Sequence, residues 1–285
     1  MRESFGSFSA GVDKSGAVPD NAPVESAMSQ DHTLMGSRYE LKYLITEELA
    51  LKIRSFVQQY LEVDEYGAGQ PNLSYPIHSL YLDSDDWKIY WRTVNGDKNR
   101  YKLRLRYYTE SRKVPVFFEI KRRMKDVILK QRAGIWADGV NEILAGHIPG
   151  REHFAHPTAE EYRSIQNFLE LMLDVNARPK MQVSYDREAY VNSTNNEVRI
   201  TLDRHVRCVR RDEWVHSVQT PNPFICSDRI VILELKFTNR FPYWYRDLVQ
   251  AFDCFQCGAA KYVEGTTLYA GRHLPAQDVI RNMVL

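Results

Sequence analysis

Residues 100–107, with the sequence RYKLRLRY, carry the pattern that decides the fold. Charged and apolar side chains alternate strictly, so Arg100, Lys102, Arg104 and Arg106 share one parity. The other parity holds only leucine and tyrosine. Because successive side chains of a β-strand point to opposite faces, the stretch predicts a strand with one cationic and one apolar face.

The same alternation recurs along the chain and predicts eight strands, at Arg38–Ile45, Ile77–Asp83, Arg100–Tyr108, Val116–Lys121, Val127–Gly134, Lys180–Val191, Val198–Val206 and Arg229–Phe237. Helices are expected at Thr46–Leu61, Thr158–Asp174 and Pro242–Phe255. Long strand runs with a few inserted helices favour a single α+β domain over residues 36–285. Residues 1–35, poor in large apolar groups, are expected to form a disordered tail.

Charge is distributed unevenly between the strand faces, although the chain's formal net charge is only +1. The charged parity holds five carboxylates, at Glu40, Asp83, Glu119, Asp203 and Glu234. It holds twelve cations, at Arg38, Lys42, Arg100, Lys102, Arg104, Arg106, Lys121, Lys130, Arg132, Arg187, Arg199 and Lys236. The predicted strands therefore concentrate positive charge on one face.

Two interpretations fit this face. A sheet with one dry and one solvated side is common, but its solvated side usually mixes Thr, Ser, Gln, Glu and Lys. A closed antiparallel barrel of about eight strands, with a polar basic interior and flanking helices, explains the dominance of Arg and Lys on nearly every strand. Arg187 shares the parity of Met181 and Val183, so it fits only if a bulge or strand end re-aims it.

Crowded cations in such an interior favour a bound polyanion, and Arg matches phosphate oxygens with paired donors. Carboxylates among them indicate a hard divalent cation, because Mg²⁺ binds one or two carboxylates plus phosphate oxygens. Motifs for a P-loop, a dinucleotide fold, a zinc protease and a serine hydrolase are all missing from the sequence. No window is long and apolar enough to predict a transmembrane segment.

The cysteines give a weak signal. Cys254 and Cys257 form a C-x-x-C pair on the predicted third helix, but a zinc site needs two more ligands. Cys208 and Cys226 show no matching spacing. A pair of partly buried helical thiols is the favoured interpretation, and four cysteines without a disulfide pattern suit a reducing, cytoplasmic location.

The ordered motifs resemble the VTC domain, the catalytic domain of vacuolar transporter chaperone polyphosphate polymerases in the triphosphate tunnel metalloenzyme superfamily. The resemblance covers about residues 36–270. It rests on the segments RYELKY (38–43), SLYLD (79–83), KLRLRY (102–107), FEIK (118–121), YDR (185–187), RITLD (199–203), LELK (233–236) and AKY (260–262).

The resemblance implies an antiparallel tunnel barrel, ATP as phosphoryl donor and a divalent metal, Mn²⁺ or Mg²⁺. It implies phosphate-binding residues at Lys42, Arg104, Arg106, Lys121, Lys130, Arg187, Arg199 and Lys261. Lys102 and Lys236 lie on the same charged face of their strands and are further phosphate-binding candidates. Catalytic roles are expected for Lys42, Arg104, Arg106, Lys121, Arg187 and Arg199. Glu234 matches the metal-binding glutamate. Glu40 is a second candidate ligand, although Arg38 stands where many tunnel enzymes have a first carboxylate.

The leading hypothesis is an ATP-dependent polyphosphate polymerase whose partners are ATP and inorganic polyphosphate or triphosphate. A triphosphatase with water as acceptor uses the same interior, and a non-catalytic polyphosphate- or nucleic-acid-binding module is the third possibility. Nucleic acid is not expected, because the aromatic side chains fall mainly on the face opposite the cations. A membrane-protein partner is compatible with this hypothesis.

Overall fold

The fold is built on one antiparallel sheet, seen in a computed structural model that describes residues 38–125, 127–192, 197–227, 229–238 and 240–273. The tail predicted for residues 1–35 lies outside the described residues. The strands are β1 (Arg38–Thr46), β2 (Glu62–Val63), β3 (Ser74–Asp83), β4 (Asn99–Tyr107), β5 (Val116–Met124), β6 (Val127–Ile135), β7 (Arg178–Val191), β8 (Val198–Arg210), β9 (Phe224–Ser227) and β10 (Ile230–Thr238).

The strand order is β1-β10-β8-β7-β3-β4-β5-β6, with β2 on β7 and β9 on β8. All the eight predicted strands are present, and the α+β class is confirmed. No backbone pairing joins the two end strands, β1 and β6, within the described part of the chain. The expected closed barrel is therefore not confirmed, because the sheet is open in its hydrogen bonding.

The sheet nevertheless curls strongly. Five strands separate β1 from β5, yet Lys121 Nζ on β5 lies 2.8 Å from Glu40 Oε2 on β1. Such a contact requires the cationic face to be concave. The face that holds Glu40 and Lys121 is called the concave face below.

The helices are α1 (Glu47–Val57), α2 (Glu65–Ala68), α3 (Lys88–Val94), α4 (Val140–Leu144), α5 (Ala159–Asp174), α6 (Tyr243–Ala251) and α7 (Lys261–His273). Two apolar clusters cover the outer face of the sheet. In one, α5 packs through Phe168 on Phe118 of β5. In the other, α1 and α6 pack on β1, β8 and β10 through buried side chains such as Ile53 and Tyr245. Apolar burial on this side leaves the charged parity facing inward.

The concave face is not polar throughout, which corrects the prediction of a basic interior. Val183 of β7 faces Cys208 of β8 and Ser79 of β3, and it packs in a third apolar cluster with Tyr262 of α7. Arg187 keeps the parity of Val183, so both face inward without being re-aimed. The irregularity lies instead in the β7–β8 pairing between Ser184 and Asp186.

Local signals fix some element ends and miss others. Thr46 caps α1 by accepting from Leu49 N, but that helix ends at Val57 rather than Leu61. The third predicted helix corresponds to α6 and ends at Ala251, so the C-x-x-C pair follows the helix instead of lying on it. The short strands β2 and β9 and the helix α7 have no counterpart in the sequence-based prediction.

Candidate functional site

The structure brings the predicted phosphate-binding side chains together on the concave face. They come from seven strands of the sheet and from the first turn of α7: Lys42, Lys102, Arg104, Arg106, Lys121, Lys130, Arg187, Arg199, Lys236 and Lys261. Arg132, which the charge count included, lies beside them on β6. Strand alternation places these cations on one side, and the curl of the sheet brings distant strands into contact.

Glu234 is the centre of a first ion-pair cluster. Its carboxylate lies 2.6 Å from Lys236 Nζ, 3.1 Å from Lys261 Nζ, 3.3 Å from Arg187 Nη2 and 3.4 Å from Lys42 Nζ. Burial alone would raise the pKa of Glu234, but these four cations hold it well below its usual range. Glu234 is therefore ionised, with four cationic side chains within 3.4 Å of its carboxylate.

Asp203 extends this cluster. Arg187 donates to both of its carboxylate oxygens, each at 2.7 Å, and Lys261 Nζ lies 2.5 Å away. Two parallel N–H donors on one carboxylate form a geometry that also suits a phosphate group. Burial works against the charge on Lys261, but Asp203 and Glu234 raise its pKa. Lys261 therefore stays protonated although it is buried.

Glu119 is the centre of a second cluster on β4, β5 and β6. Arg104 donates to it through Nε at 2.7 Å, while Lys130 and Arg132 lie 3.3 and 3.5 Å away. Arg106 is more distant, at 3.9 Å. Burial opposes ionisation, but the surrounding cations hold the pKa of Glu119 well below its usual range. Both clusters therefore consist of one buried carboxylate among several cations.

Glu40 connects the Glu234 cluster to strand β5, because it lies 3.2 Å from Lys42 of that cluster and 2.8 Å from Lys121 of β5. Lys42 also contacts Glu234 at 3.4 Å and so lies between the two candidate metal ligands. Among the described residues, no group of three or more His, Cys, Asp or Glu side chains is arranged to hold a metal. The protein can thus offer two carboxylates here, with Lys42 between them.

Lys102 differs from its neighbours. Of the carboxylates in the described part of the chain, none lies within 4 Å of its amine, and no hydrogen bond is formed by it. Burial, together with Lys42, Lys121 and Arg104, lowers its pKa to about 7. Lys102 is half-buried, and within the described part of the chain it lacks the carboxylate partner that Arg104 and Lys121 have.

Three side chains of the candidate site were missed by the sequence analysis. Asp64, the N-cap of α2, binds Arg199 at 2.7 Å although 135 positions separate them. The Tyr81 hydroxyl accepts from Arg104 at 3.1 Å, and the Tyr185 hydroxyl accepts from Arg106 at 3.4 Å. Tyr81 shares the charged parity of β3, so its inward orientation could have been predicted, whereas nothing local indicates Asp64.

The cysteines do not form a site with these residues. Cys208 Sγ lies 2.9 Å from Cys226 Sγ, a proximity that their sequence spacing did not indicate. The hydrogen bond with Cys226 and burial raise the pKa of Cys208, so its thiol stays protonated. Both thiols lie beside α7, on the apolar part of the concave face.

This arrangement is suited to binding a polyanion with several negative oxygens. Arg and Lys donors point to one concave surface from opposite strands, and cations outnumber carboxylates there. Charge-assisted hydrogen bonds of this kind are each worth about 1.5–3 kcal/mol. No helix in the described ranges is long and apolar enough to cross a membrane.

Comparison with known proteins identifies the family. The model of the VTC domain matches residues 37–269. Subunit 2 of the vacuolar transporter chaperone complex of Schizosaccharomyces pombe is 23% identical over 195 residues, which cover 62% of this chain and 27% of that protein. Subunit 4 of the same complex is 23% identical over 252 residues, which cover 75% of this chain and 34% of that protein. The chain thus spans about a third of the length of these curated relatives. A crystal structure of a putative adenylate cyclase from Bacillus halodurans aligns with a TM-score of 0.43 and 11% identity, covering 84% of this chain and all of that one. Because the family model matches most of its length, the chain belongs to the VTC domain family.

Proposed function

We infer that the chain is a phosphotransferase, and specifically a metal-dependent polyphosphate polymerase that transfers the γ-phosphoryl group of ATP to a growing polyphosphate chain. The observation that carries this inference is the excess of cations on the concave face, where Lys102 lacks a carboxylate partner among the described residues. Like charges held together repel unless a polyanion neutralises them. Membership of the VTC domain family supports phosphate as the charged group of that polyanion.

The reaction needs little covalent chemistry from the protein. An oxygen of the terminal phosphate of the acceptor chain attacks the γ-phosphorus, the bond to the β–γ bridging oxygen breaks, and ADP leaves. Because the attacking oxygen is already ionised, no general base is needed. Positioning and charge neutralisation by residues such as Arg104, Arg106 and Lys261 provide the catalysis.

Glu234 and Glu40 are chemically suited to a hard divalent cation. Mg²⁺ is usually bound by one or two carboxylates together with substrate phosphate oxygens, which agrees with a site that offers two carboxylates. When bound, the metal would neutralise charge on the phosphate oxygens. Lys42 would have to yield its contacts with Glu40 and Glu234 to the metal.

Incubation with ATP and Mn²⁺ or Mg²⁺, followed by sizing of the phosphate products, tests the proposed function. Long polymer together with ADP is the expected result. Orthophosphate as the only phosphate product would show hydrolysis, with water as acceptor. Absence of turnover together with retained binding of polyphosphate would indicate a binding module.

The metal-binding role is tested by comparing Glu234→Gln with Glu119→Gln. Both changes remove a buried carboxylate from a cation cluster, so both should leave metal-free triphosphate binding unchanged or tighter. Only Glu234→Gln should lose the gain in affinity that Mn²⁺ gives the wild-type protein, as measured by calorimetry. If Mn²⁺ raised the triphosphate affinity of Glu234→Gln as much as it raises that of the wild-type protein, Glu234 would serve only as an ion-pair partner for Lys236 and the other cations of its cluster.

The proposal extends to partners and location. The curated relatives are subunits of a complex, which supports assembly of this chain with other proteins, including a membrane protein. A cytoplasmic location would give the site access to ATP. Co-purification of the tagged chain from its source cells, with and without detergent, tests whether such a partner exists.

A further inference from the structure

Cys208 and Cys226 form a pair of neighbouring thiols that the proposed reaction does not use. Cys208 lies on β8, directly opposite Phe224 of β9, and Cys226 lies two residues further along β9. The register of the β8–β9 pair slips by one residue between Val206 and Arg207, which makes Cys226 the extra residue of a β-bulge. Its Sγ lies 2.9 Å from Cys208 Sγ, and both cysteines are free thiols. The bulge thus brings two oxidisable groups within reach of each other.

The two thiols differ in their exposure. Cys208 is fully buried, whereas Cys226 is partly exposed. Cys226 also lines a cavity of about 350 Å³, together with Leu44 of β1, Ile230 of β10 and Val263 of α7. Leu44 and Ile230 are themselves exposed, so the cavity opens to solvent on their side. A small oxidant can therefore reach Cys226 before it reaches Cys208.

Cys208 also supports the helix α7, which carries Lys261 in its first turn. Cys208 Sγ lies 3.9 Å from the backbone oxygen of Lys261. One turn later, Gly265 packs so closely on this sulfur that a Cβ there would lie only 2.4 Å from it. Lys261 in turn contacts Asp203 and Glu234 at 2.5 and 3.1 Å. The position of the Cys208 sulfur is therefore linked to that of a cation in the candidate site.

We propose that Cys208 and Cys226 form a redox modification site, at which a peroxide converts the two thiols to a disulfide that displaces α7 and weakens phosphate binding by Lys261. The sulfurs must approach to about 2.05 Å to form the bond, and Cys208 Sγ then leaves its place against Gly265. Reversible disulfides in reducing compartments typically serve catalysis or redox sensing. The site goes beyond the proposed function, and only its effect on phosphate binding rests on that function.

The oxidation balances in two steps. The Cys226 thiolate attacks one oxygen of hydrogen peroxide, so that the S–O bond forms, the O–O bond breaks and hydroxide leaves, to be protonated to water. The Cys208 sulfur then attacks the sulfur of the resulting sulfenic acid, the S–S bond forms and the S–O bond breaks. The leaving hydroxide takes the Cys208 thiol proton and becomes water. Two electrons pass from the sulfurs to the peroxide, and a dithiol reductant reverses the change by thiol–disulfide exchange.

The test treats the full chain with hydrogen peroxide, removes the oxidant and maps the unreduced peptides by mass spectrometry. The expected product is a Cys208–Cys226 disulfide, and dithiothreitol should restore both thiols. Calorimetry without metal should show that the oxidised protein binds triphosphate at least about threefold more weakly, which corresponds to partial loss of one charge-assisted contact. Hydrogen exchange in the first turns of α7 should also be faster in the oxidised protein.

Two variants make the test specific. Cys226→Ser leaves Cys208 against α7 but cannot form the disulfide, so peroxide should not change its affinity for triphosphate. Cys257→Ser is the matched control, because it removes a partly exposed cysteine outside the pair and should respond to peroxide as the wild-type protein does. Each comparison is between the oxidised and reduced forms of one variant, so an effect of the substitution on folding does not enter it.

Several results would overturn the proposal. Peroxide could leave both thiols free, or the disulfide could join Cys254 and Cys257 instead. A Cys208–Cys226 disulfide that leaves triphosphate affinity unchanged would count equally against it, as would an equal loss of affinity in Cys226→Ser. A reduced protein that binds no triphosphate would refute the proposed function instead, and the hydrogen exchange of α7 would then decide whether the disulfide displaces the helix.

Discussion

Lys102→Met should make the protein more stable and at the same time weaken its binding of phosphate. Lys102 is half-buried, and Lys42, Lys121, Arg104 and Arg100 face its amine from β1, β5 and its own strand. Burial and these four cations lower its pKa to about 7 from the ordinary value of 10.5. Methionine has a similar unbranched shape without the charge, so it fills the space without repulsion.

The effect on stability depends on pH in a defined direction. Between pH 7 and pH 10.5 the unfolded chain binds one more proton at this residue than the folded chain, so wild-type stability rises with pH across that window. Below pH 7 Lys102 is charged in the folded protein, and this charge lowers the free energy of unfolding. The pKa difference limits that loss to roughly 5 kcal/mol. Lys102 keeps some solvent contact, so about 1–3 kcal/mol is expected. Lys102→Met should therefore raise the melting temperature at pH 6 by roughly 3–9 °C and leave it unchanged near pH 10.5.

The affinity for triphosphate should fall in Lys102→Met, whereas its stability should rise. At pH 6 the ammonium contributes one charge-assisted contact to triphosphate, so Lys102→Met should bind roughly 10- to 100-fold more weakly. At pH 9 the wild-type amine must first take up a proton, which costs about 2.7 kcal/mol and removes most of that advantage. Calorimetry in two buffers of different ionisation heat should show about one more proton taken up by wild type than by Lys102→Met at pH 8.

The comparison with wild type isolates Lys102 from other titrating groups. Burial also lowers the pKa of Lys236 to about 7, although Glu234 opposes the shift, and both proteins contain that pair. The ionisation of triphosphate itself is likewise common to both. Equal melting temperatures at pH 6 and equal proton uptake at pH 8 would refute the assignment of Lys102 as an unpaired cation.

Two further predictions follow from contacts in the same region. Arg106→Ala and Arg104→Ala should each lower the rate of phosphoryl transfer at least about tenfold. Thermal melts should show a stability loss for Arg104→Ala but little or none for Arg106→Ala, because Arg104 binds Glu119 at 2.7 Å whereas Arg106 lies 3.9 Å from it. Gly265→Ala should lower both the melting temperature and the affinity for triphosphate. A Cβ at this position would lie 2.4 Å from Cys208 Sγ and would displace α7, the helix that carries Lys261. The double variant Gly265→Ala/Cys208→Ala should recover part of both losses.

The sequence predicts the strands and the cationic side of each, because alternation is a local property. Arg104 and Glu119 could be placed on the same face in this way. It does not predict which carboxylate neutralises which cation, since that depends on strand order and curl. Glu40 meets Lys121 only because the sheet brings β1 near β5. The position of Lys261 came from the family resemblance alone, because no local pattern distinguishes the start of α7 from a surface helix.

The partners of the cations divide them into two kinds with different consequences. Arg187 is held by two hydrogen bonds to Asp203, and Lys261 is held by Asp203 and Glu234. Removing such a cation leaves a buried carboxylate with one partner fewer, which costs stability as well as binding. Among the described residues, Arg106 has hydrogen bonds of 3.4 Å to Ser79 and Tyr185 and a carboxylate at 3.9 Å, and Lys102 has no hydrogen bond.

Cations of the second kind gain most when phosphate arrives, and of these two only Lys102 costs the empty protein stability, because the fold lowers the pKa of Lys102 but raises that of Arg106. The carboxylates therefore keep the first kind in place before substrate binds, and the second kind supplies most of the net binding energy. Losses of affinity without loss of stability should accordingly concentrate at Lys102 and Arg106, whereas Arg187 and Lys261 should affect both. The distinction follows from hydrogen-bond partners rather than from charge, since all four side chains face the same concave surface.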